Sequence, residues 1–596
     1  MNTPSSSNAL HRRVAVDTPE HVRLDYVLAD LGSRVGALAI DLAILVGASL
    51  VLGLALYYAG ALGDVMQSVS TTILIFAVFF AQWGYFLLFE GLGGGRTPGK
   101  RALGLRVIHA GGEPLSFQGS VLRNLIRIVD LQPGVSGLAG AICILANRRA
   151  QRLGDLVAGT IVVQDAGGSE MPGADALPRA RVGRPVLSVE QFELLAGYIA
   201  RREGLGPEVR RRVAGSVLDA LESAVEHGQE AVARTADEKL VALHEAEAPR
   251  HAARRGGTSL QAATMARERR EEWAEYVALV EKGRKRGLKS LSEDEVRAFG
   301  QLYRGVAADL ARARTYGASP GLLGTVQRWA GAGHNLLYRA RGRVAVSLGH
   351  WVAAEFPRAV RLYARQIALA AVLFYGAGIV AYIAVREDPL LGRTLSPGLT
   401  VRAENTEKGD VNARYLEEDV EGSDMPVLAS AFMTNNVGVT FYAFAGGLLA
   451  GAGTLYILLL NGMTLGAGFG VYANEGVPLV LLAWVSSHGV IELTAICIAG
   501  GAGFGLGSAL LMPGRRTRAE ALMERGRAFL SLIAGTGLML VIAGLIEGFY
   551  SPSQLHAGWK FAFGGMTAVL LVLYFGFAGR RRPGERSGAA TATRAP

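Results

Sequence analysis

Along this chain, long uncharged apolar runs alternate with stretches dense in charge. A membrane crossing needs about 20 predominantly apolar residues. Runs of that kind occupy Val35–Gly60, Thr71–Leu92, Gln366–Val385, Val437–Leu460, Val490–Met512, Ala528–Gly548 and Trp559–Phe577. Cytoplasmic loops carry an excess of Lys and Arg. Ala61–Ser70 has neither, whereas Arg96, Lys100, Arg101 and Arg106 follow the second run. The N-terminus is therefore expected inside, as are Arg515, Arg516 and Arg518 and the tail with Arg580, Arg581 and Arg582. Loop Arg386–Asp424, with 5 basic and 10 acidic residues, is expected outside. Parity then demands one more crossing between Asn461 and Arg515. Met463–Ser487, interrupted by Asn474, Glu475, Gly476 and Pro478, is predicted to supply it as a broken or re-entrant helix. Such backbone is tolerated only where protein or water covers it.

The remaining elements are smaller. Leu103–Ile108 and Gly159–Gln164 have strand character and are predicted to pair. Between them, Arg123, Arg127 and Asp130 share one helix face, Gln132-Pro133-Gly134 breaks that helix, and Val135–Ala146 is too short to span. This reads as a shallow hairpin with both ends on one side. Asp165–Pro185 is a Gly-, Pro- and Ala-rich linker. Beyond it, capping boxes at Ser188/Gln191 and Ser292/Glu295 start helices. After the second box, Val296, Phe299, Leu302, Tyr303, Val306, Leu310 and Ala313 form one apolar stripe. Asp309 falls on that stripe and calls for a cation, with Arg312 or His334 as candidates. Met1–Arg34 has no apolar core with a small-residue cleavage site, so no removable signal is expected.

The predicted fold class is an all-α polytopic membrane protein. It has a small two-stranded β element in its N-terminal module and a helical cytoplasmic domain. Its regions are a first membrane module (1–165), a linker (166–185), cytoplasmic helices (186–365), a second membrane module of about six spans with one broken at 463–487 (366–580), and a basic tail (581–596).

Composition narrows the function. Half of the 596 residues are hydrophobic and 19% are charged, against about 25% charged in ordinary soluble domains. With a mean hydropathy of +0.27, a disordered or purely soluble chain is excluded. Asp165–Arg365 holds 32 basic and 25 acidic residues, so most of the net charge of +10 marks topology and not a nucleic-acid partner. Cys143 and Cys497 both lie in apolar runs, against a disulfide framework or a cysteine zinc site. No Walker-type phosphate loop, His-Glu-x-x-His or Gly-x-Ser-x-Gly element occurs. Hence no enzyme activity, catalytic residue, cofactor or metal is expected.

Ionisable groups inside a bilayer are functional candidates by default. Asp41 lies two turns inside the first run, where it either pairs with an arginine to lock helices or serves a site. His488 and Glu492, at i and i+4, share a helix face, and Asn461 is placed to serve the same cavity. Asn435 and Asn436 add amides upstream. Glycines at small-xxx-small spacing, such as Gly447/Gly451 and Gly503/Gly507, favour close helix packing or self-association.

Two resemblances follow from ordered motifs. Arg34, Asp41, Thr97-Pro98-Gly99-Lys100-Arg101, Arg123-Asn124 to Asp130, and Arg152-Leu153-Gly154-Asp155 to Ala158-Gly159-Thr160 resemble the RDD family over about residues 20–165. The resemblance makes Arg34, Asp41, Arg123, Asp130, Arg152 and Asp155 signature positions, with Asp130 or Asp155 as the second aspartate. Trp273, Tyr303, Asp309 to Arg314, His334 with Tyr338, Phe356-Pro357-Arg358, Asn435-Asn436, Asn461-Gly462 and His488 with Glu492 resemble the stage II sporulation protein M family over about 260–580. That resemblance implies partners that remodel peptidoglycan or a MoxR-type ATPase, and a bacterial inner-membrane location. The expected function is a membrane scaffold that recruits partners through its cytoplasmic helices. The alternative is a secondary transporter or channel for protons or small cations through His488, Glu492 and Asp41.

Overall fold

The structure, a computed structural model, describes residues 12–17, 23–133, 136–164, 186–202, 205–225, 235–255, 260–339, 348–406, 425–553 and 555–580. The linker 166–185, the tail 581–596 and most of the acidic loop after Asn405 lie outside the described residues. The chain is a multi-pass helical membrane protein. Among the described residues, seven helices are long and apolar enough to cross a bilayer.

The first module begins with a hairpin, β1 (Arg13–Asp17) paired antiparallel with β2 (Arg23–Val27). Helix α1 (Leu31–Gly60) starts where the Asp30 carboxylate accepts the Ser33 N–H, and it packs against α2 (Asp64–Leu92). A π turn at Phe80–Gly84 inserts an extra residue into α2 and aims Trp83 out of the module. Short helix α3 (Pro98–Ala102) leads into β3 (Leu105–His109). Next come α4 (Phe117–Asp130), α5 (Leu138–Ala146), α6 (Leu153–Ala158) and β4 (Thr160–Gln164). Strands β3 and β4 pair antiparallel, Leu105 opposite Gln164 and His109 opposite Thr160, as the pattern predicts. The β1–β2 sheet was not foreseen.

Two charge-rich helical groups follow. Val189–Arg201, Pro207–Val225 and Ala236–Arg255 bury Leu195, Leu221 and Leu240 among themselves. Helices α7 (Arg270–Arg286), α8 (Glu293–Thr315) and α9 (Pro320–Arg339) close around Trp273, Phe299, Tyr303 and Trp329. Leu24 of β2 completes this second core, and Arg314 pairs with Asp25 at 2.7 Å. The hairpin is thus the seat on which the α7–α9 group rests.

The second module contains α10 (Ala364–Glu387), α11 (Met425–Ala445), α12 (Ala452–Asn474), α13 (Pro478–Leu511), α14 (Arg518–Tyr550) and α15 (Ala557–Phe577). Burial ranks them. Half of the apolar window of α13 is buried and 56% of that of α14, against 11% for α1 and α15. The first two form the axis, and the others turn Leu50, Val51, Val372 and Val572 outward to lipid. Helices α10 and α12 cross at glycines: a Cβ on Gly466 would strike the backbone of Gly378, and one on Gly462 would strike Phe374.

Two boundaries differ from expectation. Val437–Leu460 is not one crossing, because the chain turns at Gly446–Leu448 and leaves through Ala450 and Gly451, both at positive φ. The run is the end of α11 joined to the start of α12. Met463–Ser487 is not a broken span either. Asn474 ends α12, Gly476 has φ +80°, and Pro478 occupies the first turn of α13, where its missing N–H costs nothing. Both apparent irregularities are tight connections between complete helices. Five of the module's six helices, all but α11, are among the seven long and apolar enough to cross a bilayer, and their boundaries differ from those predicted.

The two membrane modules share a core. Leu122, Ile126, Val129 and Val157 of the first pack with Ala521, Leu522 and Phe529 of α14. Trp83 meets Phe441 of α11 edge-on, with ring centroids 4.7 Å apart. Replacing Gly466 by Leu drives a side chain into backbone and is expected to cost about 3 kcal/mol or more. Gly376→Ala, where nothing lies within 4 Å, is the neutral comparison. Thermal unfolding of both variants in detergent measures the difference.

Candidate functional site

Two buried polar constellations stand out. In the first module, Arg123 on α4 is 1% exposed. Its Nε donates to Glu90 Oε2 at 3.0 Å, while Nη1 meets Asp155 and donates to Thr160 Oγ1 at 2.8 Å. Asp155 also accepts from Arg34 at 3.0 Å and from the backbone N–H of Arg152, which caps α6. Glu90 takes Lys100 as well. Asp130 accepts the N–H groups of Leu153 and Gly154, with Arg152 at 3.4 Å. Arg127 stands over the Phe86 ring at 3.3 Å. Burial pushes the Lys100 ammonium down to about 8, with the Glu90 carboxylate opposing that shift. It lowers Arg123 to about 10, again against Glu90, and raises Asp130 against Arg152.

Five of the six signature residues therefore fall in one network, with both candidate aspartates in it. The sixth stands apart. Asp41 accepts Tyr85 Oη and Gly99 N–H on Oδ1, at 2.9 and 2.7 Å, and Thr97 Oγ1 on Oδ2 at 2.6 Å. Hydroxyls and a backbone N–H thus replace the arginine considered for it. A Cβ on Gly99 would collide with the carbonyl of Ala37, so Asp41 fixes the Thr97-Pro98-Gly99 turn against α1. Glu90 escaped the sequence reading although it was visible as an acid inside an apolar run.

The second constellation lies in the half of the bundle away from the Arg515–Arg518 end. His488 and Glu492 share a face of α13, as their spacing predicts, with Nε2 and Oε2 3.9 Å apart. Glu547 enters from a π turn, Ile546–Tyr550, at the end of α14, with its Oε1 3.6 Å from the same Nε2. On its far side, His488 Nδ1 meets Ser551 Oγ at 3.0 Å, and Ser551 Oγ lies 2.5 Å from Ser487 Oγ. Asn436 donates to Glu547 at 3.5 Å, whereas Asn435 is exposed and bonds Asn436. Asn461 does not join this group: its amide donates to Ile457 O on its own helix at 2.8 Å. Glu547 was missed for the same reason as Glu90, as a lone acid near the end of the Ala528–Gly548 run.

The polar tie of the α7–α9 group is also revised. Asp309 accepts from Arg269 Nε and Trp273 Nε1, each at 2.9 Å, with Arg312 at 3.4 Å. His334 instead meets Tyr303 Oη through Nδ1 at 3.3 Å. Arg269 comes from a charge-dense stretch, with Arg267, Glu268, Arg270, Glu271, Glu272 and Glu275 around it.

A cavity of about 600 Å³ lies between α10, α12 and α13, walled by Phe374, Tyr382, Phe469 and Leu493. Its wall is almost wholly apolar, which suits an acyl chain better than an ion.

Comparison with known families agrees with the two-module reading. Residues 28–159 match the RDD family, and residues 369–552 match stage II sporulation protein M. Residues 263–339, which hold Trp273, Asp309 and His334, match a separate model, a domain of unknown function (DUF8413). No curated protein and no solved structure matches the chain.

Arg123→Met strands Glu90 and Asp155 without their shared cation. It is expected to destabilise the protein by about 3–5 kcal/mol. Arg314→Ala, at a partly exposed pair with Asp25, should cost about 1 kcal/mol or less. Denaturant unfolding in detergent separates the two.

Proposed function

We propose that this fusion of an RDD family module with a stage II sporulation protein M module is a non-enzymatic membrane scaffold that holds its soluble helices in a set position for partner proteins. The observation that carries this reading is the pairing of Arg34, Glu90, Lys100, Arg123, Asp130, Arg152 and Asp155 with one another. Charges satisfied inside a module clamp its elements. A transport path needs polar groups facing water. The shared core with α14 and the docking of α7–α9 on the β1–β2 hairpin support the same view. The reading places both termini on the cytoplasmic face of a bacterial inner membrane. Its partners are peptidoglycan-remodelling proteins or a MoxR-type ATPase, with self-association through the Gly-rich helices as a further contact.

The buried cluster of His488, Glu492 and Glu547 favours a second reading, a pathway for protons or small cations. Purified protein in liposomes discriminates the two. The scaffold reading expects proton and cation flux no greater than in empty liposomes, and crosslinking in native membranes that recovers the same envelope or ATPase partner reproducibly. Flux that disappears in His488→Ala and Glu547→Gln, with no partner recovered, would establish the pathway instead.

A further inference from the structure

We infer that His488, Glu492 and Glu547 together bind one divalent transition-metal ion, of the zinc or manganese class, inside the bundle. Each residue offers a ligand atom, and these atoms all lie within 4.8 Å of one another. Two of the separations, 3.6 and 3.9 Å from His488 Nε2, are already close to what a shared ion requires. Ligands about 2.1 Å from a tetrahedral ion stand roughly 3.4 Å apart, so these two separations need change only by tenths of an ångström, with the two carboxylates drawn in around the ion.

Charge is the stronger argument. The His488 and Glu547 side chains are 5% and 8% exposed, and burying an ionised carboxylate without a counter-charge is prohibitive. Among the described residues, the donor to Glu547 is the Asn436 amide, at 3.5 Å. Glu492 Oε2 is shut away from solvent with no hydrogen-bond partner at all. Lys560, the nearby cation of α15, is turned to Ser551 O at 2.7 Å. Two carboxylates and a neutral imidazole carry a charge that a divalent cation cancels.

The surroundings orient the imidazole as a ligand. With Nδ1 held by Ser551 Oγ, Nε2 is the atom presented to the carboxylates. A hydrogen bond on the far ring nitrogen is what fixes metal-binding histidines. The backbone contributes as well, because the π turn at Ile546–Tyr550 rotates Glu547 inward, and such turns recur at functional sites. Imidazole with two carboxylates suits zinc, manganese or iron(II) better than calcium or magnesium. The ion would tie α13 to α14, and this holds whether or not the scaffold reading does.

The test uses the full-length protein in detergent, stripped with a chelator and dialysed against zinc or manganese. Elemental analysis is expected to find one ion per chain, and visible absorption after cobalt loading should report the site. His488→Ala and Glu547→Gln should each weaken binding at least tenfold, while Asn461→Ala leaves it unchanged. If a variant fails to fold, X-ray absorption on the metal-loaded wild type decides. A shell of oxygen and nitrogen with one imidazole supports the site, whereas sulfur ligation or several imidazoles overturns it. Folded wild type that binds neither metal more tightly than Glu547→Gln overturns it too, and leaves a shared proton as the group that settles these carboxylates.

Discussion

A guanidinium sealed from water at the centre of the first module can persist only because carboxylates on two other elements meet it. Arg123 lies on α4, Glu90 on α2 and Asp155 on α6. Bringing them together positions all three helices at once. The same requirement recruits Arg34 from α1 and Lys100 from α3. Removing Arg123 takes the shared cation from Glu90 and Asp155 at once, which costs far more than the pairs contribute relative to an apolar core. The network therefore acts as a constraint on geometry. It also fixes the outer face of α4 and α6, which is the face that receives α14 through Leu122, Val157 and Leu522.

The second module obeys the same rule with less margin. Its helices pack through glycines, since lipid offers no hydrophobic drive for helices to associate. Gly447 and Gly503 show this, because a Cβ on either would meet backbone of the neighbouring helix. Within that close packing, His488, Glu492 and Glu547 are polar groups with few donors. Where the first module balances carboxylates with arginines, the second sets an imidazole against two acids.

Much of this architecture was legible in the chain because its strongest signals are local. Apolar runs gave the helices, the pairing of β3 with β4 followed from two short strand-like segments, and spacing placed His488 beside Glu492. What was hidden depended on contacts far apart in sequence. Glu547 reaches His488 only because a π turn rotates it, and no periodicity encodes that turn. Arg269 reaches Asp309 across 40 residues, out of a charge run that looks uniformly solvated. The misplaced crossings had a different cause. Gly446 to Gly451 turn the chain without any charge, so hydropathy ran through the bend. By hydropathy alone, the polar Asn474–Pro478 connection reads as a break inside a span.

The central claim is that the two membrane modules form a single unit through α4, α6 and α14. Its most direct test is a full-length chain carrying a specific protease site inserted among residues 166–185, cleaved in detergent and passed over a sizing column. The account expects both fragments to elute together, and to separate when Leu122 and Val157 are replaced by Asp. If the cleaved wild-type fragments run apart, the shared core does not hold the modules, and the account fails.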